Sequence, residues 1–159
     1  MHNNDILRRL RYNFDFSDAE MIQLFKLAEV DVDRTQISNW LKKDEDPEFD
    51  SIYDKDLAIF LNGFINLKRG KKEGEQAKPE KSLNNNIIFR KLKIALNLRD
   101  EDILEIFKLV DFRISKHELS DFFRKPDHKH YRPCKDQFLR NFLYGMQVKY
   151  RKNANSSQS

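Results

Sequence analysis

Apolar residues recur at intervals of three and four along most of this chain, with charged residues between them. Ile6, Leu7, Leu10 and Phe14 fall on one face of a helix, and no comparable alternating stretch suggests a β-strand. The spacing therefore predicts an all-α protein with about eight helices. The other seven apolar stripes are Met21, Ile22, Phe25 and Ala28; Ile37, Trp40 and Leu41; Leu57, Phe60, Leu61 and Phe64; Ile88, Phe89, Leu92 and Leu96; Ile103, Leu104, Phe107 and Val110; Leu119, Phe122 and Phe123; and Leu139, Phe142, Leu143 and Met146.

The chain repeats itself with an offset of 82 residues. Its opening NNDILRRLR returns as NNIIFRKLK, and 17 of the 68 aligned pairs are identical without a gap. A repeat of this length with two copies predicts two homologous units of about four helices each, at residues 3–70 and 85–152. They form either two small domains or one fused pseudo-dimer.

Helix starts carry the signals of N-terminal capping. Three S/T/D-x-x-E/Q pairs fit a capping box or its near equivalent. We also expect Asp54 and Asp136 to cap the fourth helix of each unit. The three pairs are Ser17 with Glu20, Asp33 with Gln36, and Ser115 with Glu118.

Gly63 and Gly145 lie inside the predicted fourth helices, where glycine costs about 1 kcal/mol relative to alanine. Close helix packing offsets such a cost, for example where the two units meet, and a ligand approaching the backbone is the other interpretation. Packing is the favoured one.

The segments outside the repeat are polar. Residues 71–84 read as a charged flexible linker, and residues 153–159 as a disordered tail. No apolar run approaches the roughly 18 residues that a membrane span needs, and Cys134 is the only cysteine. We therefore expect a cytoplasmic protein without a disulfide.

Several longer blocks resemble a known family. These are FLNGFINLKRGKK in the first unit, and LVDFRISKHELSDFFRKP, HKHYRPC and KDQFLRNFLYG in the second. With the doubled start they are similar to the YehS-like bacterial proteins, which consist of two copies of a small domain of unknown function. The resemblance implies a two-unit bacterial protein and brings no reaction or catalytic residue. One departure is Asp127, where the family leads us to expect glycine, and it disfavours a tight turn there.

The two units carry opposite charge. Residues 3–70 contain 10 basic and 14 acidic side chains, whereas residues 85–152 contain 16 basic and 9 acidic ones. Such a surplus favours nucleic acid or another polyanion as a partner of the second unit, because binding phosphates releases counterions. The candidate binding residues are Arg90, Lys91, Lys93, Arg124, Lys125, His128, Lys129, His130, Tyr131 and Arg132.

Residues 17–43 also imitate a helix-turn-helix motif, whose second helix would lie in the major groove. The turn contains no glycine, and the matching helix of the second unit presents acidic residues, so this interpretation is the weaker one. Its outward face would consist of Arg34, Thr35, Gln36, Asn39 and Lys42.

Enzyme and metal signatures are sparse. The sequence lacks the phosphate-binding, nucleophile-elbow and zinc-protease motifs, so we predict no enzymatic activity and no cofactor. His128, His130 and Cys134 are the closest set of metal-ligand types, but the first unit has no equivalent of them. We interpret them as parts of a basic surface loop.

Two functions remain from the sequence. The first is binding of nucleic acid or another polyanion by the second unit. The alternative is a protein-interaction module, in which the basic loop docks on an acidic surface such as residues 44–50 of the same or another chain, or the protein forms a homo-oligomer.

Overall fold

Eight α-helices and no strand make up the part of the chain that the computed structural model describes, residues 1–151. The all-α prediction is confirmed, and the predicted disordered tail at 153–159 lies outside the described residues. No helix within residues 1–151 is both long and apolar enough to cross a membrane. The helices are α1 (Asn3–Phe14), α2 (Asp18–Leu27), α3 (Arg34–Leu41), α4 (Asp54–Arg69), α5 (Asn85–Ala95), α6 (Asp100–Lys108), α7 (Lys116–Phe122) and α8 (Asp136–Met146), followed by a π-helical turn, Gln147–Arg151.

Two of the predicted capping boxes are present. The Ser17 hydroxyl accepts from the Glu20 N–H at 3.1 Å and the Glu20 carboxylate accepts from the Ser17 N–H. Ser115 forms the same pair of bonds with Glu118 at the start of α7. Only half of the third pair forms, because the Gln36 side chain donates to Asp50 rather than returning to Asp33.

The prediction that Asp54 and Asp136 cap the fourth helices is wrong. Each is the first residue inside its helix, and Tyr53 or Lys135 precedes it at the cap position without a side-chain bond. The two carboxylates instead accept hydrogen bonds from outside the helix. Asn3 Nδ2 donates to Asp54 at 2.7 Å, and Asn85 Nδ2 donates to Asp136 at 2.8 Å.

A buried asparagine ties α1 to the connection between α3 and α4. Asn4 Nδ2 donates to the carbonyl oxygens of Trp40 and Asp50, both at 2.9 Å. Asn4 Oδ1 accepts from the Ile52 N–H at 3.2 Å. One side chain thus holds the end of α3 and two points of the following loop, and it satisfies backbone groups that would otherwise be buried without partners.

The second unit repeats all three bonds through Asn86. Its Nδ2 donates to the carbonyl oxygens of Phe122 and Arg132, and its Oδ1 accepts from the Cys134 N–H at 2.9 Å. Asn86 is 5% exposed, and Asn4 is 3% exposed. The repeated NN of the two openings is therefore explained by an asparagine clamp, formed by Asn4 in one unit and Asn86 in the other.

Gly63 and Gly145 mark close helix packing inside each unit. A Cβ at Gly63 would overlap the carbonyl group of Leu24 in α2, and one at Gly145 would overlap that of Ile106 in α6. The packing interpretation is therefore correct. The suggestion that these glycines lie where the units meet is wrong, because both contacts join helices of the same unit.

The two units exchange contacts in a reciprocal way. Helix α4 packs on α5, while α8 and the π-helical turn pack on α1. The Leu83 N–H donates to Asp54 at 2.8 Å. Met1 is the equivalent of Leu83 in the repeat, and its amino group donates to Asp136 at 2.9 Å. The buried apolar side chains of both units form one continuous core. This arrangement is that of a fused pseudo-dimer.

The linker segment 71–84 contacts both units. Lys71 pairs with Glu29 at 3.3 Å, and Gln76 Oε1 accepts from Asn66 at 3.4 Å. Glu80 lies within 2.9 Å of Lys91 in α5. The segment therefore runs over the groove between α4 and α5.

Replacing Asn86 by alanine should destabilise the protein by about 3 kcal/mol, because the carbonyl oxygens of Phe122 and Arg132 and the Cys134 N–H would all lose their partner in a buried site. Chemical denaturation measures the change. Asn141→Ala is the matched control, since Asn141 bonds only to Gln137 within its own helix. Equal stability of the two variants would contradict the structural role of the clamp.

Alanine at Gly63 should lower the free energy of unfolding by about 2 kcal/mol, because the added methyl group overlaps backbone of α2. In an open helix the same substitution stabilises by about 1 kcal/mol. Thermal unfolding of the Gly63→Ala variant gives the sign. An increase in melting temperature would show that α2 and α4 are not in close contact.

Candidate nucleic-acid interface

The loop between α7 and α8, residues 123–135, carries most of the predicted basic site. Hydrogen bonds hold the backbone of the loop where it leaves α7 and where it approaches α8. The Asn86 clamp holds the Arg132 carbonyl, and the Arg132 N–H donates to the carbonyl oxygen of Asp121 at 3.2 Å. The loop therefore presents its side chains from a defined backbone.

Two consecutive turns shape the middle of this loop. The His128 N–H donates to the Lys125 carbonyl at 2.9 Å, and the Tyr131 N–H donates to the His128 carbonyl at 3.0 Å. Asp127 lies inside the first turn without a positive φ, so no glycine is needed. The expectation that Asp127 disfavours a tight turn is therefore wrong. The His128 Nδ1 accepts from the His130 N–H at 3.0 Å and braces the second turn.

Besides Arg132 and Lys135, four basic or imidazole side chains of the loop are exposed: Lys125, His128, Lys129 and His130. None of them forms an ion pair within residues 1–151. Arg132 is exposed beside them, although its guanidinium lies 3.2 Å from Glu118. We call these five residues the basic loop surface. Tyr131, in their midst, is half-buried.

Arg124 stands apart from this surface because Asp121 binds it. Its Nε donates to the Asp121 carboxylate at 2.8 Å. That hydrogen bond, with the nearby charges of His117 and His130, holds the pKa of Asp121 below its ordinary value. The pair is neutral as a whole and contributes little field to the loop.

The three predicted cations of α5 have different surroundings. Arg90 is exposed and donates to the Phe123 carbonyl at 3.2 Å, which places it beside the loop. Lys93 pairs with Asp100 at 3.2 Å, and its ammonium lies 4.2 Å from the centre of the Phe123 ring. Arg90 therefore extends the basic loop surface, whereas Lys93 is paired with Asp100 of its own unit.

Lys91 does not belong to a surface at all. It is buried, its Nζ donates to Asn62 of α4 at 2.6 Å, and it pairs with Glu80 of the linker at 2.9 Å. The prediction that Lys91 contacts a polyanion is wrong for this reason. Its charge is used to join the two units.

The equivalent loop of the first unit, residues 44–50, carries five carboxylates. Arg8 pairs with Asp44 at 2.9 Å and Lys42 pairs with Glu48 at 2.7 Å, both within the first unit. No ion pair in residues 1–151 joins this acidic loop to the basic loop surface. Docking of the two loops within one chain is therefore not the arrangement of this structure.

The same acidic loop covers part of the helix-turn-helix-like face. Gln36 donates to Asp50, and Lys42 donates to both Asn39 and Glu48. Arg34 and Thr35 remain exposed. Carboxylates beside α3 would repel the phosphates of a duplex, so the geometry disfavours major-groove reading by this helix.

Cys134 lies apart from the two histidines in burial and chemistry. It is 5% exposed, and burial, with the charge of Asp136, raises the pKa of its thiol to about 12. No three metal-ligating side chains converge within residues 1–151. Neither a zinc-binding thiolate nor a nucleophilic one is favoured at this position.

One family matches this chain twice, over residues 3–70 and 85–152, and it is described as a protein of unknown function (DUF1456). The chain belongs to this family. It is similar to the uncharacterized protein YehS of Escherichia coli strain K12, with 43% identity over 147 residues that cover 92% of this chain and 94% of YehS. No solved structure matches it significantly. The resemblance that the sequence blocks indicate is confirmed.

Sequence reasoning missed two cations that the pairing of DUF1456 units brings together. Arg9 of α1 and Arg140 of α8 line one crevice although 131 positions separate them. A signal was present in the repeat: Arg140 aligns with Ala58, which is fully buried in α4. A cation at the position of a buried alanine indicates that the two units differ in how that face is covered.

Alkylation of Cys134 at pH 8 should be slow in the native protein and rapid in denaturant. A thiol with a pKa of about 12 carries roughly a thousandfold less thiolate at this pH than an ordinary one with a pKa near 9, and burial limits access as well. Mass spectrometry of timed iodoacetamide reactions measures both rates. Equal rates in the two conditions would contradict this account of the cysteine.

Proposed function

We propose that this protein is a non-catalytic binding protein, and that its basic loop surface holds nucleic acid through the phosphate backbone. One observation carries the proposal. Two loops occupy equivalent places in the repeat, and one exposes lysines and histidines without ion-pair partners in residues 1–151, whereas the other carries five carboxylates. Packing of the units does not require this difference, because both loops are fixed by the same clamp.

The chemistry of the surface suits phosphates rather than base edges. Lysine is a flexible point charge, and the release of counterions gives such contacts a strong dependence on salt. The partly exposed ring of Tyr131 offers a face on which an unpaired base can stack. The expected binding is therefore independent of sequence and favours single strands.

The surroundings of the loop favour binding without catalysis. Its histidines are exposed, its acidic neighbour Asp121 is paired with Arg124, and Cys134 is buried with a raised pKa. A general acid or base works best in a site that excludes water, and the exposed histidines lack such an environment.

Reversing two charges should weaken binding. The Lys125→Glu/Lys129→Glu variant removes about two phosphate contacts, so the slope of log K against log salt for a single-stranded oligonucleotide should fall by about 1.4. Fluorescence anisotropy with a labelled 12-nucleotide strand, measured at several salt concentrations, gives both affinity and slope. The charge-matched control is Lys26→Glu/Lys55→Glu, which alters two exposed lysines of the first unit.

Equal loss in both variants would show that net charge alone governs binding and would contradict a local site. An absence of binding by the unaltered protein at low salt would remove the nucleic-acid proposal. The alternative partner is an acidic protein surface, including the acidic loop of a second copy. Light scattering that shows a salt-sensitive dimer, lost in the loop variant and kept in the control, would favour it.

A further inference from the structure

A crevice of about 460 Å³ opens between α1 and α8, on the line where the two units meet. Its lining is rich in guanidinium groups. The residues around it are Met1, Asp5, Arg8, Arg9, Tyr12 and Arg140.

The reciprocal contact, between α4 and α5, has different side chains. There Ile87 and Ile94 of α5 face α4, Ala58 is fully buried, and Lys91 is bound by Asn62 and Glu80. At the positions equivalent to Ile87, Lys91 and Ile94, the crevice has Asp5, Arg9 and Tyr12, and Arg140 replaces the alanine. A cavity lies at each of the two contacts, about 850 Å³ between α4 and α5 and about 460 Å³ between α1 and α8, but in the part of the chain that the structure describes the lysine is paired in the first and two arginines are unpaired in the second.

Two of the three arginines are unpaired within residues 1–151, although the charges of Arg140 and Asp136 interact at longer range. Arg8 is paired, because its two terminal nitrogens donate to Asp5, Asp44 and the Lys42 carbonyl. Arg9 and Arg140 form no hydrogen bond or ion pair within residues 1–151. Asp5 does not compensate them, since its carboxylate binds Arg8 at 2.9 Å and accepts from the His2 N–H.

We infer that the α1–α8 crevice is an anion site in which Arg9 and Arg140 bind a phosphate group of the same strand that the basic loop surface holds. This inference rests on the proposed function for its occupant and on the crevice itself for its chemistry. Guanidinium groups bind phosphate oxygens with two parallel hydrogen bonds.

The chain connects the two surfaces directly. The basic loop ends at Lys135, where α8 begins, and Arg140 lies little more than one turn along that helix. Tyr12 is 49% exposed at the crevice, and the Arg151 guanidinium lies 4.0 Å from the centre of its ring. A base that follows the bound phosphate could stack on the uncovered part of this ring.

The test uses the full chain, labelled with nitrogen-15, and inorganic pyrophosphate as the first probe. At low salt, pyrophosphate should shift the amide signals of Arg9, Tyr12 and Arg140. The Arg9→Gln/Arg140→Gln variant should lose these shifts and keep the rest of its spectrum, because neither side chain has a structural partner to lose. The second probe is the 12-nucleotide strand, whose salt slope should fall by about 0.7 in this variant, because one phosphate contact is lost.

The outcomes separate the site from the function. Shifts with pyrophosphate and a lower salt slope support the inference in full. Shifts without any change in the slope would overturn the link to nucleic acid and leave a site for small phosphates. No shifts at the crevice would overturn the site. If the loop variant binds the strand normally while the crevice still responds to pyrophosphate, the proposed function fails and the anion site stands.

Discussion

Each unit depends on one buried asparagine that joins its first helix to the connection before its last. Asn4 and Asn86 each make three hydrogen bonds to backbone groups, and these groups lie at the two ends of a loop. A buried polar side chain is costly unless its bonds are complete, and here they are paired on both the amide nitrogen and the oxygen. Because the clamp binds backbone only, the side chains of the loop are free to change. The acidic and basic loops therefore share one set of backbone contacts and differ in their side chains.

The sequence predicts the helices and the repeat because both are local patterns. Apolar spacing sets the buried face of each helix, and Ser17 and Ser115 mark helix starts through bonds to residues three positions away. The same reasoning fails for Asp54 and Asp136, because the side chains that donate hydrogen bonds to them lie in distant segments. Helical periodicity tells which side chains are buried, but it does not tell which helix covers them. The packing of Gly63 on α2 therefore could not be placed from the sequence.

In the candidate site too, local features could be predicted from the sequence and contacts between distant segments could not. Lys125, His128 and Lys129 lie in a polar loop, so their exposure could be expected from the sequence alone. Lys91 differs because its burial depends on Glu80 of the linker and Asn62 of α4. A count of charges treats both kinds of lysine alike, and only the pairing of the units separates them. A count of charges also cannot reveal the crevice with Arg9 and Arg140, because the pairing of the units creates it.

The reciprocal contacts between units have a consequence for how the protein acquired its asymmetry. Two separate copies of one ancestral unit, associated about a twofold axis, would carry identical loops at both ends of the pair, because one gene would encode both. Joining the copies through residues 71–84 removes that constraint. Each loop can then carry its own charge while the shared interior stays the same, so the covalent connection permits two unlike loops that an assembly of identical chains would not have.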